Sequence, residues 1–348
     1  MKRILFSIAT IACLSYTSHA QTTVTQGSAP SSANHSNTVV LDQKIDVPGY
    51  TVNAHSSSSY LSVVQTQDAS AVGNVTVVTQ DGAYNYLHQI QNGSNNNTSI
   101  IQNNLVTGTS WDDGNRAYTY IAGQNNTLEA SQTVNSSNVG QGGNRLFATQ
   151  DGLWGTMKVT QVSDGRGHYV SATQGAASEY STQVYSQYGS ENSIQGTQVN
   201  GYSNLISVFQ RNNDPEAIGS SFTGDQRGGN ENRVIVHQEG SENSIASAQN
   251  GNNNEFSGVQ EGTGNKLTLS STGDLNHISF IQAGINHDAK ITQSGVANIS
   301  VVDQRGLNNT LTINQSKNQN VVISIQLGEG NTSTINQTGG YGTAGLAL

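Results

Sequence analysis

The chain has 348 residues, of which 33% are hydrophobic and 11% charged, with 38 glycines, one cysteine and a formal net charge of −9. An ordinary globular core of this length needs more apolar mass, and the composition alone reads as disordered or low-complexity polar sequence. The acidic balance argues against nucleic acid as a partner and favours solubility before any assembly.

In chain order the first expected element is a secretory signal at 1–20. Lys2 and Arg3 form a basic start, 4–14 is an apolar run too short to span a bilayer, and Ser18-His19-Ala20 is a small-residue cleavage site. Cys13 lies inside the run; a lipoprotein reading there is the alternative, with Thr10 a poor match three places before it. Cleavage after Ala20 leaves no cysteine to form a disulfide and takes the formal charge to −11. Residues 21–60 then form a Ser/Thr-rich segment.

From 61 to 337 one unit recurs, Asn-x-φ-x-φ-x-Gln with φ apolar. Copies occupy 74–80, 85–91, 96–102, 126–132, 144–150, 192–198 and 204–210, with an isolated one at 37–43 and degenerate ones at 155–161 and 168–174. Two stretches break the rhythm: 103–124, with Trp111, Asp112 and Asp113, and 211–231, with Pro215. Both are expected to be loops bulging from the repeat, because insertions collect in turns. The Asp112-Asp113 pair reads as a solvent loop, with calcium the alternative. The count is about 20 strands, or about ten rungs if two strands make one.

From Gln238 onward the unit repeats every 11 residues. Gln stands at Gln238, Gln249, Gln260, Gln282, Gln293, Gln304, Gln315, Gln326 and Gln337, with Ser271 the exception. Two places later come Gly240, Gly251, Gly262, Gly273, Gly284, Gly295, Gly306, Gly328 and Gly339, with Lys317 the exception. The Asn series runs Asn232, Asn243, Asn254, Asn265, Asn276, Asn298, Asn309, Asn320 and Asn331, with His287 in the gap.

An 11-residue period fits a right-handed helical coiled coil or a β-arcade. Glycine in nearly every repeat would cost a helix about 1 kcal/mol each time, and no leucine-rich seam offsets it. The reading is therefore all-β: a β-solenoid or cross-β stack of strand-turn-strand repeats. Asn, both φ positions and Gln share parity, so on a strand they face one side, the core. Glycine after the Gln supplies turn conformations that other residues reach only with strain. Buried amides need partners. In rungs stacked about 4.8 Å apart each amide donates to its copy on one side and accepts from the other. A slipped register would leave amides unpaired at about 1–3 kcal/mol each.

Gln282-x-Gly284, Gln293-x-Gly295-x-x-Asn298 with Gln304, and Gln187-x-Gly189-x-x-Asn192 with Gln198 resemble the curlin repeat of bacterial curli amyloid fibres. The resemblance covers roughly 74–337. It implies rungs of about 22 residues holding two strands. It also implies a secreted subunit that leaves through a dedicated outer-membrane pore with accessory factors. At the cell surface the subunit would polymerise with itself and with other curlin-like subunits into biofilm matrix. In such subunits a stretch like 21–60 directs export, and 338–348 is expected to be a tail. The chain departs from the pattern in its number of repeats, its two insertions, and in Phe256, Leu311 and Val322 where the pattern has alanine.

With two strands per rung, alternate repeats present separate outer faces. One is polar, through Lys266, Thr268, Asp288, Lys290, Thr310 and Thr312. The other becomes apolar toward the C-terminus at Ile299, Val301, Val321, Ile323 and Ile325. These five are either a lateral contact or ordinary strand residues covered by the tail. Glu255, Asp288, Asp303 and Lys317 read as gatekeepers against premature aggregation or as a solvated face.

Catalytic chemistry is not expected. The eight histidines lack metal spacing, and no phosphate loop, nucleophile elbow or Cys/His cluster appears. Neither a cofactor, a metal nor a nucleotide is called for. The leading reading is a structural, self-assembling subunit; the alternative is a soluble capped β-solenoid that binds or adheres.

Overall fold

The computed structural model describes residues 22–26, 38–44, 50–55, 60–66, 75–82, 85–92, 95–104, 114–135, 142–213 and 218–347. Among the described residues there are 28 strands and no helix. The strands form two 14-stranded sheets in which neighbours pair in parallel. The chain crosses between sheets at each turn: Arg233–Ser241 lies in the first sheet, Ser244–Asn250 in the second, and Glu255–Thr263 in the first again. This is a β-solenoid with two strands per rung.

Register follows the amides. Gln238 stands opposite Gln260 and Gln260 opposite Gln282, a spacing of 22 residues. Upstream several rungs are longer, yet Gln102 still pairs with Gln132 and Gln150 with Gln174. Burial alternates residue by residue, as in Arg145–Leu153 and Thr182–Gly189, because successive side chains point to opposite faces. The inward apolar residues join into one core from Val78 to Val322.

Core volume is balanced between large and absent side chains. A Cβ on Gly258 would lie 2.7 Å from Cγ of Phe280 on the next rung, and one on Gly224 would lie 2.6 Å from the Phe222 ring. Gly196 leaves room for the Tyr185 hydroxyl in the same way. In a close-packed interior an added methyl at these points has nowhere to go.

Four expectations are corrected. The segment 103–124 is not all loop, because Arg116–Gln124 is a full strand of the second sheet. Its Gln slot holds Ile121, opposite Gln91 and Gln150, and a template built on Gln misses it. The segment 211–231 likewise contains the strand Ser221–Arg227, hidden because Ser220 fills the Asn slot ahead of it. Trp111, Asp112, Asp113 and Pro215 fall outside the described residues.

The other two corrections concern the ends. Residues 21–60 contribute the strands Thr22–Gln26, Thr38–Lys44 and Tyr50–His55 to the stack, so the solenoid begins before 61. The tail 338–348 contributes Thr343–Ala347, which pairs with Val321–Ile325 as the last strand of the first sheet. These added strands also raise the count above the expected 20. The signal segment 1–20 lies outside the described residues.

Candidate functional site: the amide ladders and the stack ends

The inward glutamines form ladders, unbroken in the first sheet from Gln102 to Gln326. In the first sheet Gln238 donates to Oε1 of Gln260 at 2.9 Å, Gln260 to Gln282 at 2.6 Å, Gln282 to Gln304 at 2.8 Å and Gln304 to Gln326 at 2.7 Å. The same line runs upstream through Gln102, Gln132, Gln161, Gln187 and Gln210. In the second sheet Gln293 donates to Gln315 and Gln315 to Gln337. Ser271 interrupts that line. Gln249 donates instead to the carbonyls of Arg233 and Asn254, and the Ser271 hydroxyl bonds to Asn254 Oδ1.

Most of these glutamines also hold the two sheets together. The second N–H crosses the core to a backbone carbonyl at the start of a strand opposite: Gln238 to Ser221, Gln260 to Ser244, Gln282 to Lys266, Gln304's neighbour Gln326 to Thr310. This cross-link is invisible in a one-dimensional repeat.

The asparagines run with the opposite polarity. Oδ1 of Asn232 accepts both the backbone N–H and the side-chain N–H of Asn254, and the pattern repeats from Asn254 to Asn276, Asn298 and Asn320. Ahead of the second sheet Oδ1 of Asn243, Asn265 and Asn309 accepts the backbone N–H of Asn265, His287 and Asn331 in turn. In the amide-to-amide bonds glutamine donors therefore point toward the C-terminal end and asparagine donors toward the N-terminal end, while a second asparagine N–H bonds to the turn carbonyl one rung on, as from Asn254 to Gly273.

His287 and His168 occupy Asn slots and imitate the amide. Nδ1 of His287 accepts the N–H of Asn309 at 3.3 Å while Nε2 bonds to the Ala283 carbonyl. His168 takes the N–H of Asn192 on Nδ1 and bonds through Nε2 to Val162. Both must be neutral, with the proton on Nε2, because Nδ1 faces a donor. Burial pushes both below the ordinary histidine value, His168 to about 4.

The turn glycines Gly240, Gly251, Gly262, Gly273, Gly284, Gly295, Gly306 and Gly328 all have positive φ, between 99° and 133°. A Cβ on Gly240 or Gly262 would strike the carbonyl oxygen of the glycine one rung on. Gly339 lies in the last turn without a positive φ. One turn position escaped the sequence reading. The residue before each Asn slot is also left-handed: Glu242, Asn253, Leu275, Asn286, Ala297, Asn308, Gln319 and Tyr341, with Gly264 and Gly330. Asn and Gly at half of these sites are the signal that was there to find.

The stack ends differ from its middle. The second sheet closes on Thr332–Gln337, where Gln337 takes the Gln315 donor and gives one N–H to the Val321 carbonyl. The first sheet closes on Thr343–Ala347, with Gly342 in the Asn slot. Outside, Ile299, Val301, Ile323 and Ile325 are exposed and Val321 is half-buried. Among the described residues no three of His, Cys, Asp and Glu converge as a metal site would require.

The model of the curlin associated repeat matches residues 229–257 and 284–316. No curated protein matches the chain. The repeat match and the two-strand solenoid together suggest a curli-like structural subunit.

Proposed function

We propose that the chain is a secreted subunit that stacks end to end into curli-like amyloid fibres on the bacterial surface, serving adhesion and biofilm matrix. The observation that carries this reading is the run of paired amides along the stack toward its C-terminal strands. In the second sheet the line of donors from Gln293 through Gln315 reaches the last strand at Gln337, in the first sheet it runs unbroken from Gln102 to Gln326, one strand before the last, and the last described strands of both sheets carry no charged residue. An unpaired strand edge templates the addition of another strand. Identical amides then pair across the junction as they do within the chain. Export through a dedicated outer-membrane pore and co-assembly with other curlin-like subunits belong to the same proposal.

A second reading, a soluble capped solenoid that binds or adheres, is favoured by Gly342, which leaves the last first-sheet strand without an inward asparagine. One experiment separates them. The chain from Gln21 is released from denaturant at neutral pH and followed by thioflavin fluorescence and fibre diffraction. Growth of fibres with reflections near 4.7 and 10 Å is expected. A chain that stays monomeric and β-rich overturns the fibre reading in favour of the capped one.

A further inference from the structure

The outer face of the first sheet changes character along the stack. Around the middle it carries the Glu129–Lys158 ion pair and threonines. Near the C-terminal end it carries Ile281, Ile299, Val301, Ile323 and Ile325, each more than a third exposed, with Ile323 at 45%. They fall on adjacent rungs, Ile299 opposite Val321 and Val301 opposite Ile323. The final strand does not cover them. It pairs edge-on with Val321–Ile325 and so extends the sheet sideways. Within this apolar field Arg305 donates to Asp303 at 2.8 Å, and the two residues point out of the same face.

We infer that this face is a side-to-side contact between copies of the chain, too small to pair free chains and effective along an assembled fibre. The inference rests on the end-to-end assembly proposed above. Three features point to a second copy as the occupant. Branched side chains repeated at the rung spacing interdigitate best with a surface of the same spacing, which another copy supplies. The Asp303 and Arg305 pair is self-complementary: in a twofold pairing the carboxylate of each copy lies against the guanidinium of the other. The size also fits. Three rungs at about 4.8 Å by about 20 Å of strand give roughly 300 Å² per copy, less than half the roughly 800 Å² per partner of a stable complex. A fibre repeats the patch once per subunit, so weak contacts act together.

The test compares the parent with Val301→Lys/Ile323→Lys, two exposed positions outside both ladders. Sedimentation before assembly should show both as monomers. After assembly, thioflavin kinetics should agree within about twofold, while electron microscopy shows bundled parent fibres and single variant filaments. Asp303→Lys alone should reduce bundling and make what remains less sensitive to salt. Variant fibres that bundle like the parent overturn the lateral contact and leave end-to-end assembly standing. A parent that forms no fibres overturns both.

Discussion

The stretch from 229 to the C-terminus and the stretch from 75 to 228 build the same interior with different exteriors. In the C-terminal stretch rungs are 22 residues throughout and glycine fills nearly every turn. In the upstream stretch Gln102 to Gln132 spans 30 residues and Gln187 to Gln210 spans 23. Yet Gln102 donates to Gln132 at 2.8 Å, the same distance as Gln282 to Gln304. Register is therefore held by the inward amides, and the turns only have to close.

Where the upstream turns lose Asn and Gly, aromatic stacking partly compensates. Trp154 and Tyr180 hold left-handed φ and stack with ring centroids 5.9 Å apart. On the second-sheet face Tyr86, Tyr118, Phe147 and Tyr169 make a further row. Ring pairs of this kind contribute about 0.5–1.5 kcal/mol each beyond burial, which offsets part of the cost of a left-handed aromatic residue at about 1–2 kcal/mol.

If the interior is equivalent in both stretches, equivalent cuts should cost the same. Gln282 and Gln132 each make three side-chain bonds, two given and one received. Gln282→Ala and Gln132→Ala should each destabilise by about 3–5 kcal/mol, since each strands a buried donor and two acceptors. Guanidinium unfolding reads this. A cost confined to Gln282 would mean that the irregular stretch is held by its exterior.

Acid should strike the two stretches through their histidines. His168 is neutral when folded and has its pKa lowered from 6.5 to about 4. The unfolded chain takes up the proton first as pH falls. The stability from neutral His168 is complete above about pH 6.5 and is lost as pH falls to about 4, roughly 3 kcal/mol in all. His168→Asn should remove its share of that dependence. Melting curves between pH 7 and 4 that superimpose for parent and variant would refute the neutral-imidazole bond.

Tyr185 sharpens the comparison from the upstream side. Its hydroxyl is fully buried against Gly196 with no hydrogen-bond partner, and burial pushes its pKa up. Tyr185→Phe should raise stability by about 1–2 kcal/mol by removing an unpaired polar group, visible as a higher guanidinium midpoint. The smallest effect belongs to the regular stretch. Ala297 sits at φ 58°, so Ala297→Gly should gain about 0.5–1 kcal/mol, the relief of left-handed strain less the added freedom of the unfolded chain. A loss on either substitution would show that the local account is wrong.

Much of this was legible in one dimension. The shared parity of Asn, φ, φ and Gln placed the amides of Asn276 and Gln282 inward, and both are fully buried. The spacing paired Gln260 with Gln282 across one rung. Strands whose slots are filled by other residues were not legible: Ile121 for Gln and Ser220 for Asn hid two of them. A neighbour on either side can hold such a strand in register without its own signal.

Sequence by itself determined the period, the β class, the inward amides and the positive-φ glycines, because each follows from side-chain alternation and backbone sterics within one repeat. Tertiary structure decided what depends on two rungs at once. It set the opposed polarity of the Gln and Asn lines and the reach of Gln260 across to Ser244. It also fitted Gly258 over Phe280 and admitted the final strand at 343–347 to the sheet. Those choices rest on which groups a strand meets after the chain has turned twice, and no single repeat contains that information.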